Sequence, residues 1–448
     1  MKNITYLCNM KCNVALKAMK VLVLVAVLLP EGVYAQEFIK RGDSQKTEFS
    51  LVREQWGNQK WIVYNDNSYY FNFGVMNAAG TINSFIKTSM PIHLKDMELT
   101  SDTLYFCGSI YDPYTSAEVN GIMGYFCVSD MPNPTIRYIV ADSLVSLNKL
   151  DYYKRGTTKH VVMTGTGVNG RDYIVDAFYD FGSFSTGSWS VSRTFIPDVN
   201  AKFDDITAIA EYVVVSARVS DSSAAYLCFI EETDLPAFPF FLTSQINMKK
   251  LQNTPSSPVL LQGGLHDTVY VVYKQSIYLN IVQFKGQNNI AAKRIQMPIS
   301  SFYPFTIIPI TLLGVSTDRH YKNINILVDA EFSSGTQRRI YHAPVNLLMS
   351  GGSFNYHIYD LCHTLHSLGR SLDNSTLGVG NYNGEWMLFK HQNNTVGNCT
   401  TMGNSSFGNV SLTTFSLISK NHSFVTTEVT LNVMPINNYP VTITTICQ

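Results

Sequence analysis

Leu104-Tyr105-Phe106-Cys107-Gly108, followed after a polar turn by Gly124-Tyr125-Phe126-Cys127-Val128, decides the fold class. Both stretches are short apolar runs rich in aromatic residues and bounded by turn formers, the pattern of paired strands buried on both faces. The unit recurs as Val161-Val162-Met163 with Tyr173-Ile174-Val175, and as Tyr212-Val213-Val214-Val215 with Tyr226-Leu227-Cys228-Phe229-Ile230. It returns as Val269-Tyr270-Val271-Val272-Tyr273 with Ile277-Tyr278-Leu279-Asn280-Ile281, as Ile324-Asn325-Ile326-Leu327-Val328 with Ile340-Tyr341, and as Leu377-Gly378-Val379 with Trp386-Met387-Leu388-Phe389. With Phe106, Val162, Val214, Val271, Ile326 and Gly378 as strand centres, the steps are 56, 52, 57, 55 and 52 residues. An earlier hairpin, Trp61-Ile62-Val63-Tyr64 with Tyr69-Tyr70-Phe71, adds a seventh unit at a shorter step.

A repeat of about 50 residues built from short strands without crossover helices predicts a β-propeller blade. One four-stranded antiparallel sheet cannot cover its own apolar faces, so such units bury them by stacking on their neighbours. The expectation is an all-β chain: a propeller of seven blades in one domain over residues 36–448, with six or eight blades and a pair of β-sandwiches as the alternatives. The strand-like stretches after Ser411 are expected to help close the ring by completing the first blade. Composition agrees with a strand vocabulary, since aromatic residues make up 12% and charged residues 15% of the chain. Leu361, Leu365 and Leu368 fall at helical spacing and predict one short helix over 359–368.

The phrase Asp102-Thr103-Leu104-Tyr105-Phe106-Cys107-Gly108, repeated loosely around the chain, resembles the secreted β-propeller proteins common in Bacteroidales. That resemblance implies a fold and an exported location, not an activity. The regular Trp-Asp and Gly-His pairs of WD40 blades, the Gly-Gly pair of kelch repeats and the Ser-x-Asp-x-Gly-x-x-Trp box of sialidases do not occur. Asp102-Thr103-Leu104, Asp142-Ser143-Leu144 and Asp267-Thr268-Val269 resemble the O-glycosylation triplet of Bacteroidetes periplasmic proteins, which marks Thr103, Ser143 and Thr268. Their other reading is a polar turn feeding a strand.

The N-terminus points to export. Lys2, Lys11, Lys17 and Lys20 precede the apolar run Val21 to Leu29, and Val33-Tyr34-Ala35 supplies a signal-peptidase site, so residues 1–35 read as a signal peptide cleaved between Ala35 and Gln36. No later run is long and apolar enough to span a bilayer as a helix. The mature chain keeps 29 basic against 32 acidic side chains, scattered rather than clustered, which argues against a nucleic-acid partner. Cys107, Cys127, Cys228, Cys362, Cys399 and Cys447 remain after cleavage. An even number in an oxidising compartment permits disulfides, and the apolar surroundings of Cys107, Cys127 and Cys228 fit buried thiols equally well.

Chemistry-bearing patterns are weak. Cys362, His363, His366, His391 and Cys399 are suitable zinc ligands by type, but their spacing matches no zinc pattern, and no metal or other cofactor is expected. Gly165-Thr166-Gly167-Val168-Asn169-Gly170 lies between two strands and reads as a turn rather than a phosphate loop. Asp176, Asp180, Asp204, Asp205 and Asp329 lie near predicted strands, and a glycosidase or lyase would need such acids paired in the central channel. Trp56, Trp189, Tyr111 and Tyr114 are candidate anchors for a glycan or protein ligand. The leading reading is a binding module, with a polysaccharide-acting enzyme or a structural envelope component as alternatives. The secreted protein is expected to begin at Gln36; an intact-mass measurement that finds residues 1–35 still attached would overturn the cleavage.

Overall fold

In a computed structural model the chain divides at Gln36/Glu37 into two units, and everything below concerns the second. The structure describes residues 38–42, 47–54, 60–66, 70–76, 82–100, 102–130, 134–141, 144–156, 158–179, 189–195, 201–219, 224–231, 245–251, 258–276, 278–296, 310–317, 322–332, 335–359, 364–369, 375–382, 385–392, 400–409, 413–418, 420–423, 426–431, 433–436 and 443–447. It is all-β. Every strand pairing is antiparallel, and the α-helix among the described residues is Val345–Ser350.

Each hairpin read from the sequence is a hydrogen-bonded ladder: Val63 lies opposite Phe73, Phe106 opposite Gly124, Val162 opposite Asp176, and Val214 opposite Phe229. Val271 faces Val282, Ile326 faces Tyr341, and Gly378 faces Phe389. These hairpins are the middle of longer meanders. The strands Leu144–Arg155, Thr158–Gly167, Asp172–Tyr179 and Trp189–Phe195 follow one another in a single sheet, as do Ala201–Ala208, Tyr212–Val219, Ala224–Glu231 and Gln245–Leu251. A third five-stranded sheet joins Thr364–Gly369, Ser375–Tyr382 and Glu385–Gln392 to Phe38–Gly42 from the start of the chain and Ile443–Cys447 from its end.

The other two sheets have nine strands each. In one, Leu260–Gly263, Thr268–Gln275, Tyr278–Lys285 and Asn288–Gln296 form one meander, and Ile310–Thr317, Asn323–Phe332, Gly335–Pro344 and Ser353–Tyr359 form another. Thr400–Asn409 bonds to the last strand of both. In the other, the long strand Ile82–Leu99 ends the meander Thr47–Glu54, Lys60–Asp66, Tyr70–Met76 and begins the next, with Thr103–Asp112, Ala117–Cys127 and Ile136–Ala141.

The first strands of the meanders share a device. Six of the seven carry a register shift that skips one residue: Ser50, Lys95, Asn148, Asp204, Leu313 and His366. A bulge turns the alternation of a strand into a three-residue step, so the apolar residues that flank it are Phe49 and Val52, Leu94 and Met97, Leu147 and Leu150, Phe203 and Ile206, Leu312 and Val315, and Leu365 and Leu368. This corrects the helix expected over 359–368. Residues 364–369 are a strand, and the Leu365/Leu368 spacing comes from the bulge at His366.

The core lies between sheets. Tyr105, Cys107 and Met123 of one meander pack with Leu144, Leu147, Leu150 and Val161 of the next, and Val162 and Ile174 pack in turn with Phe203, Ile206 and Val215. First strands lie beside first strands in sequence, Thr47–Glu54 beside Ile82–Leu99, that strand beside Leu144–Arg155, and so on through Ala201–Ala208, Leu260–Gly263, Ile310–Thr317 and Thr364–Gly369. Thr364–Gly369 lies in turn beside Thr47–Glu54.

Close packing within a ladder makes Gly124 obligatory. A Cβ there would lie 2.0 Å from the ring tip of Phe106, its cross-strand partner, which is fully buried against Phe73. Gly124→Ala is therefore expected to cost about 1–3 kcal/mol through overpacking; a denaturation midpoint unchanged from the parent would contradict this packing.

Candidate functional site

The bulges set side chains of successive first strands side by side, and three consecutive meanders use them in polar contacts. Lys95 donates from Nζ to Glu118 Oε2 at 2.9 Å and to Asn148 Oδ1 at 3.0 Å. Asn148 Nδ2 donates to Thr166 Oγ1 at 3.1 Å, Thr166 Oγ1 donates to Asp172 Oδ1 at 2.8 Å, and Asp172 Oδ2 accepts from the Phe203 N–H at 2.8 Å. Arg218 forks onto Asp204, donating from Nε to Oδ2 at 2.6 Å and from Nη2 to Oδ1 at 2.6 Å, and the Val259 N–H donates to Asp204 Oδ2 at 3.0 Å. Glu118 also meets His93 Nδ1 at 3.1 Å, and the His93 and Lys95 hydrogen bonds hold its carboxyl down to about 2.

Beside the bulges lies a second set of carboxylates with one repeated role. Asp96 accepts from its neighbour Met97 N–H at 2.9 Å and from Leu150 N–H, in the next first strand, at 3.2 Å. Asp151 accepts from Tyr152 N–H at 2.7 Å and, across to the next first strand, from Thr207 Oγ1 and Ala208 N–H at 2.8 Å each. Asp205 repeats it, accepting from Ile206 N–H at 3.0 Å and from Leu261 N–H at 2.8 Å. Each carboxylate thus clasps one sheet to the following sheet by its backbone. Burial pushes Asp151 and Asp205 up to about 6, partly offset by these hydrogen bonds, and the charge of Asp96 adds to the rise in both. Lys149 pulls Asp205 the other way.

A further buried pair joins strands of one sheet. His160 Nδ1 lies 3.2 Å from both oxygens of Asp176, both residues are 2% exposed, and Tyr153 stacks on the imidazole at 4.6 Å between ring centroids. Burial raises the Asp176 carboxyl, and His160 opposes that rise.

Of the acids singled out from sequence, Asp176, Asp204 and Asp205 are thus engaged in three different contacts, Asp329 lies in the strand Asn323–Phe332, and Asp180 is outside the described residues. Asp96, Asp151 and Asp172 were missed; the signal that finds the first two is the apolar pair three residues apart that marks each bulge. Cys107 and Cys228 are buried, and burial pushes the Cys228 thiol up to about 12, which makes it inert. Cys127 is exposed at the end of its strand, a correction to the buried thiol expected there. Ala35, Gln36, Trp56, Ser143, Cys362, His363 and Cys399 lie outside the described residues, and only the backbones of Trp189, His366, His391 and Cys447 are described. Among the described residues no cluster of three or more His, Cys, Asp or Glu side chains is placed to hold a metal.

Thr103 is 4% exposed and donates its hydroxyl to Asp102 Oδ1 at 3.1 Å, while Thr268 is half-buried at the start of its strand. The glycine-rich segment is a hairpin turn closed by Gly170 N–H to Gly167 O, with Gly170 at φ +73°. Tyr114 is 95% exposed at the tip of the hairpin Thr103–Asp112/Ala117–Cys127, where Asp112 fixes the turn by accepting from the Tyr114 N–H and the Thr115 hydroxyl. Val168, 70% exposed, occupies the corresponding tip of the next meander. An open pocket of about 590 Å³ is lined by Glu211, Tyr212, Asp267, Lys285 and Asn288.

No protein-family model and no characterised protein sequence matches the chain. Solved structures similar to it include a prolyl endopeptidase (TM-score 0.41, 11% identity, 80% of this chain and 48% of that one) and a post-proline cleaving enzyme from Rickettsia typhi (0.38, 10%, 70% and 49%). A leech intramolecular trans-sialidase is similar at TM-score 0.23 and 7% identity over 87% of this chain and 94% of that one. The chain spans about half the length of the first two. TM-scores this low carry no inference about activity.

The raised carboxyls have a definite pH signature. A folded value of about 6 against an ordinary 3.8 means that folding favours the protonated acid, so this contribution to stability is complete below about 3.8 and is lost as pH rises through about 6. Asp205→Asn and Asp151→Asn are each expected to remove up to about 2 kcal/mol of the stability gained between pH 7 and pH 4. Melting curves across that window with slopes equal to the parent's would refute the assignment.

Proposed function

We propose that this chain is an exported, seven-bladed β-propeller of the Bacteroidales kind that acts as a rigid binding module for a glycan or protein partner. The nine-stranded sheets each resolve into two blades, one pair sharing Ile82–Leu99 and the other bridged by Thr400–Asn409, which brings the meanders to seven. Support for a closed ring comes from the succession of first strands that returns from Thr364–Gly369 to Thr47–Glu54, and from Phe38–Gly42, which serves as the fourth strand of the last blade. The signal peptide ends next to the division of the chain at Gln36/Glu37.

The observation that carries the binding reading is the use made of the inner carboxylates. Hydrolysis of a glycosidic bond needs one carboxyl free to donate a proton and another free to attack or to activate water. Asp96, Asp151 and Asp205 instead spend their oxygens on backbone N–H groups of their own and the adjoining strand. They make a stiff scaffold, and the scaffold holds hairpin tips on which Tyr114 stands clear of the body. An exposed tyrosine whose backbone is held by Asp112 presents a large amphipathic surface, the property of an interface anchor.

The mature protein is expected to retain a ligand from a panel of host and plant glycans or from an envelope fraction without releasing product. Tyr114→Ala is expected to weaken that binding by about tenfold or more while the melting temperature stays put. Product release abolished by Asp205→Asn would replace this reading by the polysaccharide-acting enzyme; recovery only within a large envelope complex would replace it by the structural role.

A further inference from the structure

The C-terminal segment pairs with the sheets in an order no local rule explains. Thr400–Asn409 bonds first to Ser353–Tyr359 and then, through its last residues, to Asn288–Gln296. Thr413–Ile418 bonds to Gln245–Leu251, Lys420–Ser423 to Trp189–Phe195, and Thr426–Leu431 to Ile136–Ala141. Val433–Ile436 bonds to residues 85–88 of Ile82–Leu99, and Ile443–Cys447 to Phe38–Gly42. Each partner is the last strand of its meander. The segment therefore adds a fifth strand to every meander, in the reverse of chain order from Ser353–Tyr359 back to Ile82–Leu99, and finishes in the sheet of Glu385–Gln392, the strand that precedes it in the chain.

The connections are short. One residue separates Ile418 from Lys420, two separate Ser423 from Thr426, and one separates Leu431 from Val433, so at these three steps the segment passes directly from one edge to the next.

We propose that residues 400–447 are a strap bound in the manner of a peptide ligand, and that the rim of the ring is a set of strand-binding edges whose ligand class is an extended, hydroxyl- and β-branched-rich peptide, here supplied in cis. This rests on the seven-bladed reading. Main-chain hydrogen bonds provide the affinity, as in other cases of strand addition to a sheet edge. Seven short attachments along one tether give an effective concentration that no single attachment of three to seven residues would need to match by itself. The strap also removes the open edges on which another chain would pair.

The test uses the full mature protein. Ser192→Cys with Ser423→Cys, Asn247→Cys with Ser416→Cys, and Arg137→Cys with Thr430→Cys are each expected to form an intramolecular disulfide on mild oxidation, since these residues are opposite in the ladders. Ser192→Cys with Thr430→Cys, which joins neighbouring attachments, is expected to form none. With a protease site inserted between residues 392 and 400, the cleaved strap is expected to co-elute with the body, and a labelled peptide of residues 411–436 in excess is expected to replace it. Absence of the three cross-links, or a cleaved strap that departs and leaves the melting temperature unchanged, would overturn the proposal. Lys40→Cys with Leu388→Cys reports ring closure separately: if that pair fails while the strap pairs form, the ring reading falls and the edge pairings stand.

Discussion

The backbone ladder between Phe38–Arg41 and Met387–Lys390 is the contact on which the remaining architecture depends. It binds the start of the described chain to its last hairpin, and Thr364–Gly369 of that meander lies beside Thr47–Glu54 of the first. A stack of sheets with two free ends would leave two apolar faces open. Hydrophobic burial is proportional to area removed from water and has no directional preference, so each meander gains from every neighbour that covers one of its faces.

Within that frame the first strands have two duties that conflict. They must lie close together, and they must not leave polar backbone groups unpaired where they crowd. The bulge at Lys95, Asn148 and Asp204 breaks the ladder at one residue, and the adjoining acids answer for the N–H groups of the following strand. Carboxylates placed in this way are costly to desolvate, which is why Asp151 and Asp205 sit near 6. Their cost is tolerable because a backbone donor left without a partner would itself be expensive. Of the acids that suggested hydrolytic chemistry, Asp204 and Asp205 are therefore joints between sheets.

The middle hairpins were legible in the sequence because they are buried on both faces. Val161-Val162-Met163 and Val213-Val214-Val215 have no solvent side, so they appear as unbroken apolar runs that no turn or tail imitates. The first strands were obscured by their own bulges. Leu365 and Leu368 looked helical because one extra residue converts the two-residue period into three, and the same disguise hid Asp96 and Asp151. Tyr114 was legible as an aromatic near a turn, but its 95% exposure follows from the Asp112 turn that holds it outward.

Residue pattern alone determined that this chain is all-β, that its hairpins repeat every 52 to 57 residues from Phe106 onward, and that Tyr105 and Phe106 lie inside. Those features follow from solvent, which acts on each strand locally. Only the tertiary structure decided which acids clasp which neighbour, and which edge each part of residues 400–447 takes. A strand's hydrogen bonds are made by its backbone, which is the same at every residue but proline, so side chains mark a segment as a strand without naming its partner. The partner is chosen by where the arrangement of sheets leaves an edge unpaired.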